Sequence, residues 1–349
     1  MLTLGIETSC DDTAAAVIRG GTTVLSSVVQ SQDDLHAPFG GIVPEMASRR
    51  HLEVITPVVA RALKDADCSL ADLDLISVTA GPGLLGSLLV GLSYAKGLSY
   101  ATGLPLVPVD HIEGHLLTME IAGGTPLPAV ALISSGGHTA LYHLGNDDPP
   151  AILGTTLDDA AGEALDKAAK MLGLGFPGGP ALEKAALGGD PDALDLPRPM
   201  SGSRTLDFSF SGLKTALFTY LKREGYLDQT TQGRRLPLSV PDLAASYQRA
   251  VVETLLERCF AAATACGTPH LIIVGGVARN TLLREQAALM GAERGVNTHY
   301  PPHYLCTDNA AMIAALGYRD RHRSASDPMT VNAYSTKALK TRQTAAGGK

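Results

Sequence analysis

Apolar positions along the chain come in short runs that stop at small or acidic residues, the pattern of strands that end in tight turns. Leu2 to Ile6 is one such run, followed by Glu7-Thr8-Ser9-Cys10-Asp11-Asp12-Thr13 and a second run, Ala14 to Ile18. Val130 to Ile133, Ser134-Ser135-Gly136-Gly137-His138-Thr139 and Ala140-Leu141-Tyr142 repeat the plan. Each reads as a β-hairpin with a polar turn, and two of them predict two related halves facing a common ligand. Strands at 75–79 and 106–109 alternate with helices at 54–66 and 84–100, which predicts an α/β architecture with partly parallel sheets. A late strand, His270 to Val274, ends in Gly275-Gly276-Val277-Ala278-Arg279-Asn280, where a helix begins. A glycine pair at such a transition lets a ligand approach the backbone closely. A further helix is predicted at 157–172, within a Gly- and Pro-rich stretch at about 147–240 that reads as an insertion. Residues 338–349 read as a disordered tail.

Length and composition narrow the class. At roughly 150 residues per domain, 349 residues predict two domains, and 37 Gly and 21 Pro scattered among 45% hydrophobic residues exclude collagen, coiled coil and disorder. A formal charge of −7 leaves no global positive field for nucleic acid, so such a partner must use a local patch. Residues 319–349 carry +5 and the rest −12, which makes the C-terminal end a solvated basic terminus or a polyanion contact. Five dispersed cysteines, Cys10, Cys68, Cys259, Cys266 and Cys306, argue for a reducing compartment. Leu75 to Ala95 is 21 residues without charge, but Gly81-Pro82-Gly83 splits it into a strand and a helix, and Met1 to Gly5 lacks a basic leader. The expectation is a cytoplasmic protein with no membrane contact.

Several motifs carry chemistry. Thr8, Ser9, Asp11, Asp12 and Thr13 place hydroxyls and carboxylates in one turn, suited to a phosphate or a hydrated cation, although Asp-Asp-Thr is also an ordinary turn. Ser134 to Thr139 has the composition of a nest that grips a phosphate or carboxylate. In His111-Ile112-Glu113-Gly114-His115 the two histidines, four apart, share a helical face and can reach one metal ion, or are a surface pair. Asp308, in Cys306-Thr307-Asp308-Asn309, is either the third ligand or the N-cap of a helix at 310–318. Glu113 falls roughly 200° from His111 on an ideal helix, so the zincin geometry is missing and a metallopeptidase is disfavoured. Asp159, Glu163 and Asp166 fall on one predicted helical face, where Asp166 either is solvated or accepts from ribose hydroxyls, and Glu183 follows Phe176-Pro177-Gly178-Gly179-Pro180 as a second ribose-edge residue.

With these residues in hand, the chain resembles the TsaD family of the actin, Hsp70 and sugar-kinase superfamily, once described as O-sialoglycoprotein endopeptidases. The matching stretches are 4–13, 40–52 (Gly-Gly-Ile-Val-Pro-Glu-Met-Ala-Ser-Arg-Arg-His-Leu), 81–97, 111–115, 135–139, 158–167, 208–215, 274–280 and 306–314. The resemblance implies a two-lobed actin-like ATPase (ASKHA) fold of two related mixed-sheet domains with a nucleotide cleft between them. The limits expected are 1–108 for an N-terminal lobe, 109–321 for a C-terminal lobe holding the metal and nucleotide motifs, and a C-terminal helix at about 322–337 packing back on the first lobe. It implies a tRNA N6-adenosine threonylcarbamoyltransferase, which moves threonylcarbamoyl from threonylcarbamoyl-AMP to the adenosine beside the anticodon in tRNAs reading ANN codons and releases AMP.

By the same resemblance His111, His115 and Asp308 hold one divalent metal, iron in the first instance with zinc or magnesium as alternatives. Ser134, Ser135, Gly136, Gly137 and His138 cradle the phosphate or acyl group of an ATP or adenylate ligand. Asp166, Gly179 and Glu183 surround the ribose, Asn280 lies near the base, and Asp11 is the catalytic carboxylate, with a metal-bound water as its rival for the amine proton. Asp12 stands where members can carry Glu, and Ser134 where a small aliphatic residue is frequent. The partners implied are tRNA, TsaB and TsaE, with TsaC supplying the donor. A homodimer or a TsaB heterodimer is expected through Gly86, Ser87, Gly91, Ser93 and Gly97 of the helix at 84–100. Arg49, Arg50, Lys214, Arg319, Arg321 and Arg323 are phosphate-contact candidates. The rival reading is an ATP-dependent small-molecule kinase of the same superfamily.

Overall fold

The computed structural model describes residues 1–146, 149–226 and 237–336. The expected tail at 338–349 lies outside them. Two compact units form, Met1–Thr125 joined by the described residues from Pro301 on, and Pro126–Tyr300.

The first unit is built on β1 (Leu2–Glu7), β2 (Thr13–Arg19), β3 (Thr23–Gln30), β4 (Leu75–Gly81) and β5 (Leu106–Asp110). Their order is β3-β2-β1-β4-β5, with β1, β2 and β3 antiparallel and β4 and β5 parallel to β1. Its helices are a single turn α1 (Asp33–His36), then α2 (Pro44–Asp65), α3 (Leu85–Thr102), α4 (His111–Leu116) and the turn α5 (Thr118–Ile121). The second unit repeats the sheet with β6 (Ala129–Ser134), β7 (Thr139–Leu144), β8 (Ala151–Thr155), β9 (His270–Val274) and β10 (Asn297–His299). Read from the other edge the order is β8-β7-β6-β9-β10, antiparallel through β6 and parallel beyond it. The two halves therefore share one strand plan, as the paired hairpins predict. Its helices are α6 (Ala161–Met171), α7 (Gly178–Ala185), α8 (Ser211–Arg223), α9 (Val240–Cys266) and α10 (Thr281–Arg294), after which α11 (His303–Cys306) and α12 (Ala310–Arg319) return to the first unit.

Strand periodicity sorts the first sheet's two faces. Ala15 and Val17 join Leu4, Ile6, Ile76 and Val78 in the core shared with α2 and α3. Ala14, Ala16 and Ile18 pack on Ala310, Ala311, Ala314 and Ala315 of α12, while Leu75, Val107 and Val109 meet its Met312, Ile313 and Leu316. The helix comes this close because Gly5 has no side chain: a Cβ there would stand 2.2 Å from the Ala310 carbonyl oxygen. Glu7 has the same parity as Gly5, which aims it at the α12 face.

Several expected limits shift. The boundary drawn at 108/109 falls after Thr125, and the chain re-enters the first unit at Pro301, so His111, His115 and Asp308 belong to that unit and not to a second lobe. The cause is α12, whose alanines pack on the sheet face left open by Gly5. The helix expected at 54–66 begins ten residues earlier at Pro44, a residue suited to a first helical turn. The helix expected at 157–172 starts at Ala161, so Asp159 precedes it. The C-terminal helix expected at about 322–337 is replaced, through residue 336, by two one-turn segments, Arg321–Arg323 and Pro328–Thr330. Pro328 restricts Asp327 to an extended backbone, and the Asp327 side chain accepts from Met329 N instead. This segment is fastened to the first unit by Lys96 Nζ, which donates to the carbonyls of Met329 and Val331 at 3.0 and 2.6 Å.

Candidate functional site

In the first unit β1, β4 and β5 end side by side, and the parallel strand ends of an open α/β sheet are where such folds place ligands. β5 hands directly to α4, whose N-cap Asp110 accepts from the backbone N–H groups of Ile112 and Glu113. One turn of helix sets the His111 and His115 rings edge to face with centroids 4.7 Å apart. Gly114 faces α12, where a Cβ would stand 3.2 Å from Ile313 Cδ1. Glu113 points away and pairs with Arg319 at 3.2 Å, as the zincin argument requires.

Asp308 completes the group. It does not cap α12, for which it was one alternative: Asn309 does, accepting from Met312 N at 3.0 Å. Asp308 Oδ1 instead lies 3.1 Å from His115 Nε2 and 3.6 Å from His111 Nε2. One donor atom from each of the three residues falls within 4.8 Å of the others. Two imidazoles and a carboxylate are a donor set suited to a divalent transition metal.

A feature without a signal in the motifs stands behind His111. Its Nδ1 lies 3.0 Å from Glu7 Oε2 and 3.1 Å from Ser9 Oγ, which leaves Nε2 on the Asp308 side. Glu7 is fully buried and also accepts from the Thr79 hydroxyl and the Ser9 amide. Burial alone would raise the Glu7 carboxyl, but the neighbouring His111 holds it below its ordinary range. In turn Glu7, ahead of Asp308, overcomes burial and lifts His111 to about 9. A carboxylate that fixes a ligating histidine's tautomer and orientation is the usual support of a metal centre.

The turn between β1 and β2 carries two acids of raised pKa. Burial first, then Asp308, brings Asp11 up to about 6. Burial, Asp308 and Asp11 bring Asp12 to about 8. Asp12 Oδ1 is buried and has no hydrogen-bond partner.

The second unit gathers the other predicted residues at the ends of β6 and β9. The turn at 135–138 closes with Ser135 N donating to the His138 carbonyl at 2.8 Å and His138 N to Ser135 Oγ at 3.2 Å. Gly162, at the start of α6, donates to the Ser135 carbonyl, and a Cβ on it would come within 2.5 Å of that oxygen. Asp166 Oδ1 accepts from the N–H groups of Gly178 and Gly179 at 2.8 and 3.3 Å, so this carboxylate braces the start of α7. Glu183 Oε1 accepts from Thr281 N at 2.8 Å, and Asn280 caps α10 through Leu283 N at 2.9 Å. Both acids proposed for the ribose thus also tie backbone together. A Cβ on Gly136, Gly137, Gly179 or Gly276 would meet nothing within 4 Å, which leaves bare backbone open to a ligand. Ser134 Oγ is buried and unpartnered. Gly275 is different, with φ +92° and a Cβ position 2.3 Å from the Ser134 carbonyl: the close approach it permits is to β6.

Two groups of surface residues change meaning. Ser87 and Gly91 face inward, where the Ser87 carbonyl accepts from the Thr8 hydroxyl at 2.9 Å and a Cβ on Gly91 would meet Thr8 Oγ1 at 2.3 Å. Gly86 faces Ser48. Of the expected interface residues, Gly86, Ser93 and Gly97 are exposed, beside Leu85, Leu89 and Tyr100. Among the cationic candidates, Arg49, Arg50, Lys214, Arg319 and Arg323 each pair with an acid, Glu45, Glu53, Asp159, Glu113 and Asp320 respectively, and Arg321 lies over the Tyr318 ring. Among the described residues no helix is long and apolar enough to cross a membrane.

Comparison with known proteins identifies the family and the fold. The TsaD family model, described as tRNA N6-adenosine threonylcarbamoyltransferase, matches residues 23–315. Proteins of that name from Symbiobacterium thermophilum and Syntrophobacter fumaroxidans are 51% and 48% identical over 318 and 339 residues, covering 91% and 96% of this chain and 91% and 99% of their own. In fold alone, component A of the (R)-2-hydroxyglutaryl-CoA dehydratase of Acidaminococcus fermentans is similar, with a TM-score of 0.53 at 14% identity over 92% of this chain and 99% of that one. On the strength of this full-length similarity, the chain belongs to the TsaD family.

Proposed function

We propose that this chain transfers the threonylcarbamoyl group of threonylcarbamoyl-AMP to N6 of the adenosine beside the anticodon of tRNA, in the cytoplasm, and that His111, His115 and Asp308 hold the metal that the reaction uses. The observation that carries the proposal is the meeting of these three side chains with Glu7 behind His111, in a chain of this family. A divalent metal held by two neutral imidazoles and one carboxylate keeps a charge of about +1 and supplies Lewis-acid stabilisation of the negative charge that develops on the carbonyl and phosphate oxygens. Iron is the first choice, with zinc and magnesium as alternatives.

The chain's own residues bind and orient the reactants. The Ser134 to His138 segment is assigned the donor's phosphate, Asp166, Gly179 and Glu183 its ribose, and Asn280 its base; the bare backbone at Gly136, Gly137 and Gly179 supports this assignment. The adenine amine is a weak nucleophile, so holding it against the carbonyl supplies much of the acceleration. The new N6–C bond forms as the C–O bond to phosphate breaks, AMP leaves with the electron pair, and Asp11 takes the amine proton. A carboxyl raised to about 6 is ionised at neutral pH yet basic enough for that transfer.

Docking of TsaB, or of a second copy, is assigned to the outer side of α2 and α3, around a groove of about 530 Å³ lined by Leu52, Ile55, Thr56, Leu89, Val90, Ser93 and Tyr94. TsaE joins that assembly, and TsaC delivers the donor. Because the basic side chains considered for tRNA are mostly neutralised by local acids, the partners are expected to supply part of the tRNA grip.

The test is to incubate the metal-loaded protein, with TsaB and TsaE, with threonylcarbamoyl-AMP and unmodified tRNA, and to quantify the modified adenosine and AMP. Stoichiometric formation of both is expected. No modified adenosine, with phosphorylation of a sugar from ATP instead, would overturn the reading in favour of the kinase.

A further inference from the structure

One buried side chain grips the β1–β2 turn from the side away from α12, and none of the roles above uses it. His51 lies on the inward stripe of α2, between Ala47 and Val54, Ile55 and Val58, and is 0% exposed. Its Nδ1 lies 2.7 Å from Thr13 Oγ1 and its Nε2 3.0 Å from the Cys10 carbonyl oxygen. A carbonyl oxygen only accepts, so Nε2 carries the proton. Burial lowers the pKa of the ring, which keeps it neutral, so Nδ1 accepts from the Thr13 hydroxyl. Both ring nitrogens are spent on the turn, one on each side of Asp11-Asp12.

A polar ring at an apolar helix position costs desolvation unless its bonds are made. Leucine would fill such a position without that cost. What the imidazole adds is a rigid spacer that fixes residue 10 and residue 13 relative to one helix, and hence the path of the two residues between them. We infer that His51 is a positioning residue for Asp11, setting the carboxylate's place through the Cys10 carbonyl and the Thr13 hydroxyl without itself meeting the substrate. The inference rests on the assignment of the amine proton to Asp11. It gives a role in the reaction to the buried face of the 40–52 segment, whose outer residues Arg49, Arg50 and Leu52 enter above only as surface contacts.

The experiment uses the full chain, metal-loaded and with its partners, as wild type, His51→Leu, His51→Gln, Thr13→Val, Asp11→Asn and His51→Leu/Asp11→Asn. Rates, KM for donor and tRNA, metal content, melting temperature and alkylation of Cys10 by iodoacetamide, followed by peptide mapping, are measured. Cys10 is a half-buried free thiol, so its alkylation reports the turn independently of activity. His51→Leu is expected to keep its metal and both KM values within about twofold while kcat falls about 30- to 100-fold, the scale of a misplaced reacting group. Cys10 alkylation is expected to rise about tenfold as the turn loosens. His51→Gln, which retains an N–H donor, should recover to within about tenfold of wild type, and Thr13→Val, which removes one bond from the opposite end and leaves His51 in place, should lose about fivefold in kcat. In the Asp11→Asn background His51→Leu should have almost no further effect. An unchanged kcat in both His51→Leu and Thr13→Val, or a loss confined to KM, overturns the inference. A full His51→Leu effect on top of Asp11→Asn also overturns it, because His51 then acts elsewhere. Failure of the Asp11 assignment is seen separately, as an unimpaired Asp11→Asn enzyme. Should His51→Leu fold poorly, Thr13→Val and His51→Gln decide the matter alone.

Discussion

The two units share one strand plan, yet their hairpin turns are equipped for opposite charges. The turn of the first unit carries Asp11 and Asp12, and its strand ends add Glu7 and, through α4, two imidazoles facing Asp308. The turn of the second unit carries Gly136 and Gly137 with open space beside both, and its strand is continued by the N-terminus of α6 packed on the Ser135 carbonyl. The first is built from side chains that attract a cation, the second from backbone N–H groups that suit an anion. The same sheet thus serves both roles, and the difference lies in fewer than ten residues at strand ends.

The largest expected effect separates the two. His115→Ala or Asp308→Asn should strip the metal to below about a tenth of wild-type content and lower transfer by about 10³-fold or more, while AMP binding, assigned to the second unit, weakens by less than about tenfold. Metal analysis and calorimetric titration with AMP check both. Equal loss of metal and AMP would break the division of labour. The next effect is its mirror image. Gly137→Val places a side chain where the turn now presents bare backbone, and should raise the donor KM about 10- to 100-fold, the worth of a hydrogen bond to a charged group, with full metal content retained. Glu7→Gln comes third: losing the carboxylate behind His111 should cost about 10- to 100-fold in metal affinity and leave the donor KM unchanged.

How much of this contrast the sequence could carry depends on how local each signal is. Both hairpins are legible because apolar runs and their turns are contiguous, and the His111–His115 pair because four residues make one helical turn. For Asp308 the sequence leaves two readings, third ligand or N-cap, because the nearer histidine lies 193 residues away; the cap is taken by Asn309 and Asp308 is left facing His115. Glu7 gave no signal, since its partner is 104 residues away and strand parity names a face without naming what lies on it. The domain limits failed for the same reason, because a helix at the far end of the chain completes the first unit. The signal at His51 is weak but local: a histidine within the apolar stripe of Ala47, Val54 and Val58 must satisfy two ring nitrogens away from water.

The smallest effect tests the first turn's charge directly, through stability. In the metal-free chain Asp12 is raised from its ordinary 3.8 to about 8, by burial first and then by Asp308 and Asp11. A carboxyl whose folded pKa lies above its unfolded value contributes stability that is complete below about pH 4 and is lost as the pH climbs to about 8, because the unfolded chain ionises first. The melting temperature of the metal-free protein should therefore fall between pH 5 and pH 8.5, and in Asp12→Asn, which has no proton to lose, it should fall less, by a few °C. His111, raised to about 9, pulls in the same direction in both proteins, so the difference between the two curves isolates Asp12. Loading the metal should flatten the wild-type curve, since a cation offsets the repulsion among these acids. Parallel curves for wild type and Asp12→Asn, with and without metal, would mean that the turn does not hold the excess negative charge on which its contrast with the second unit depends.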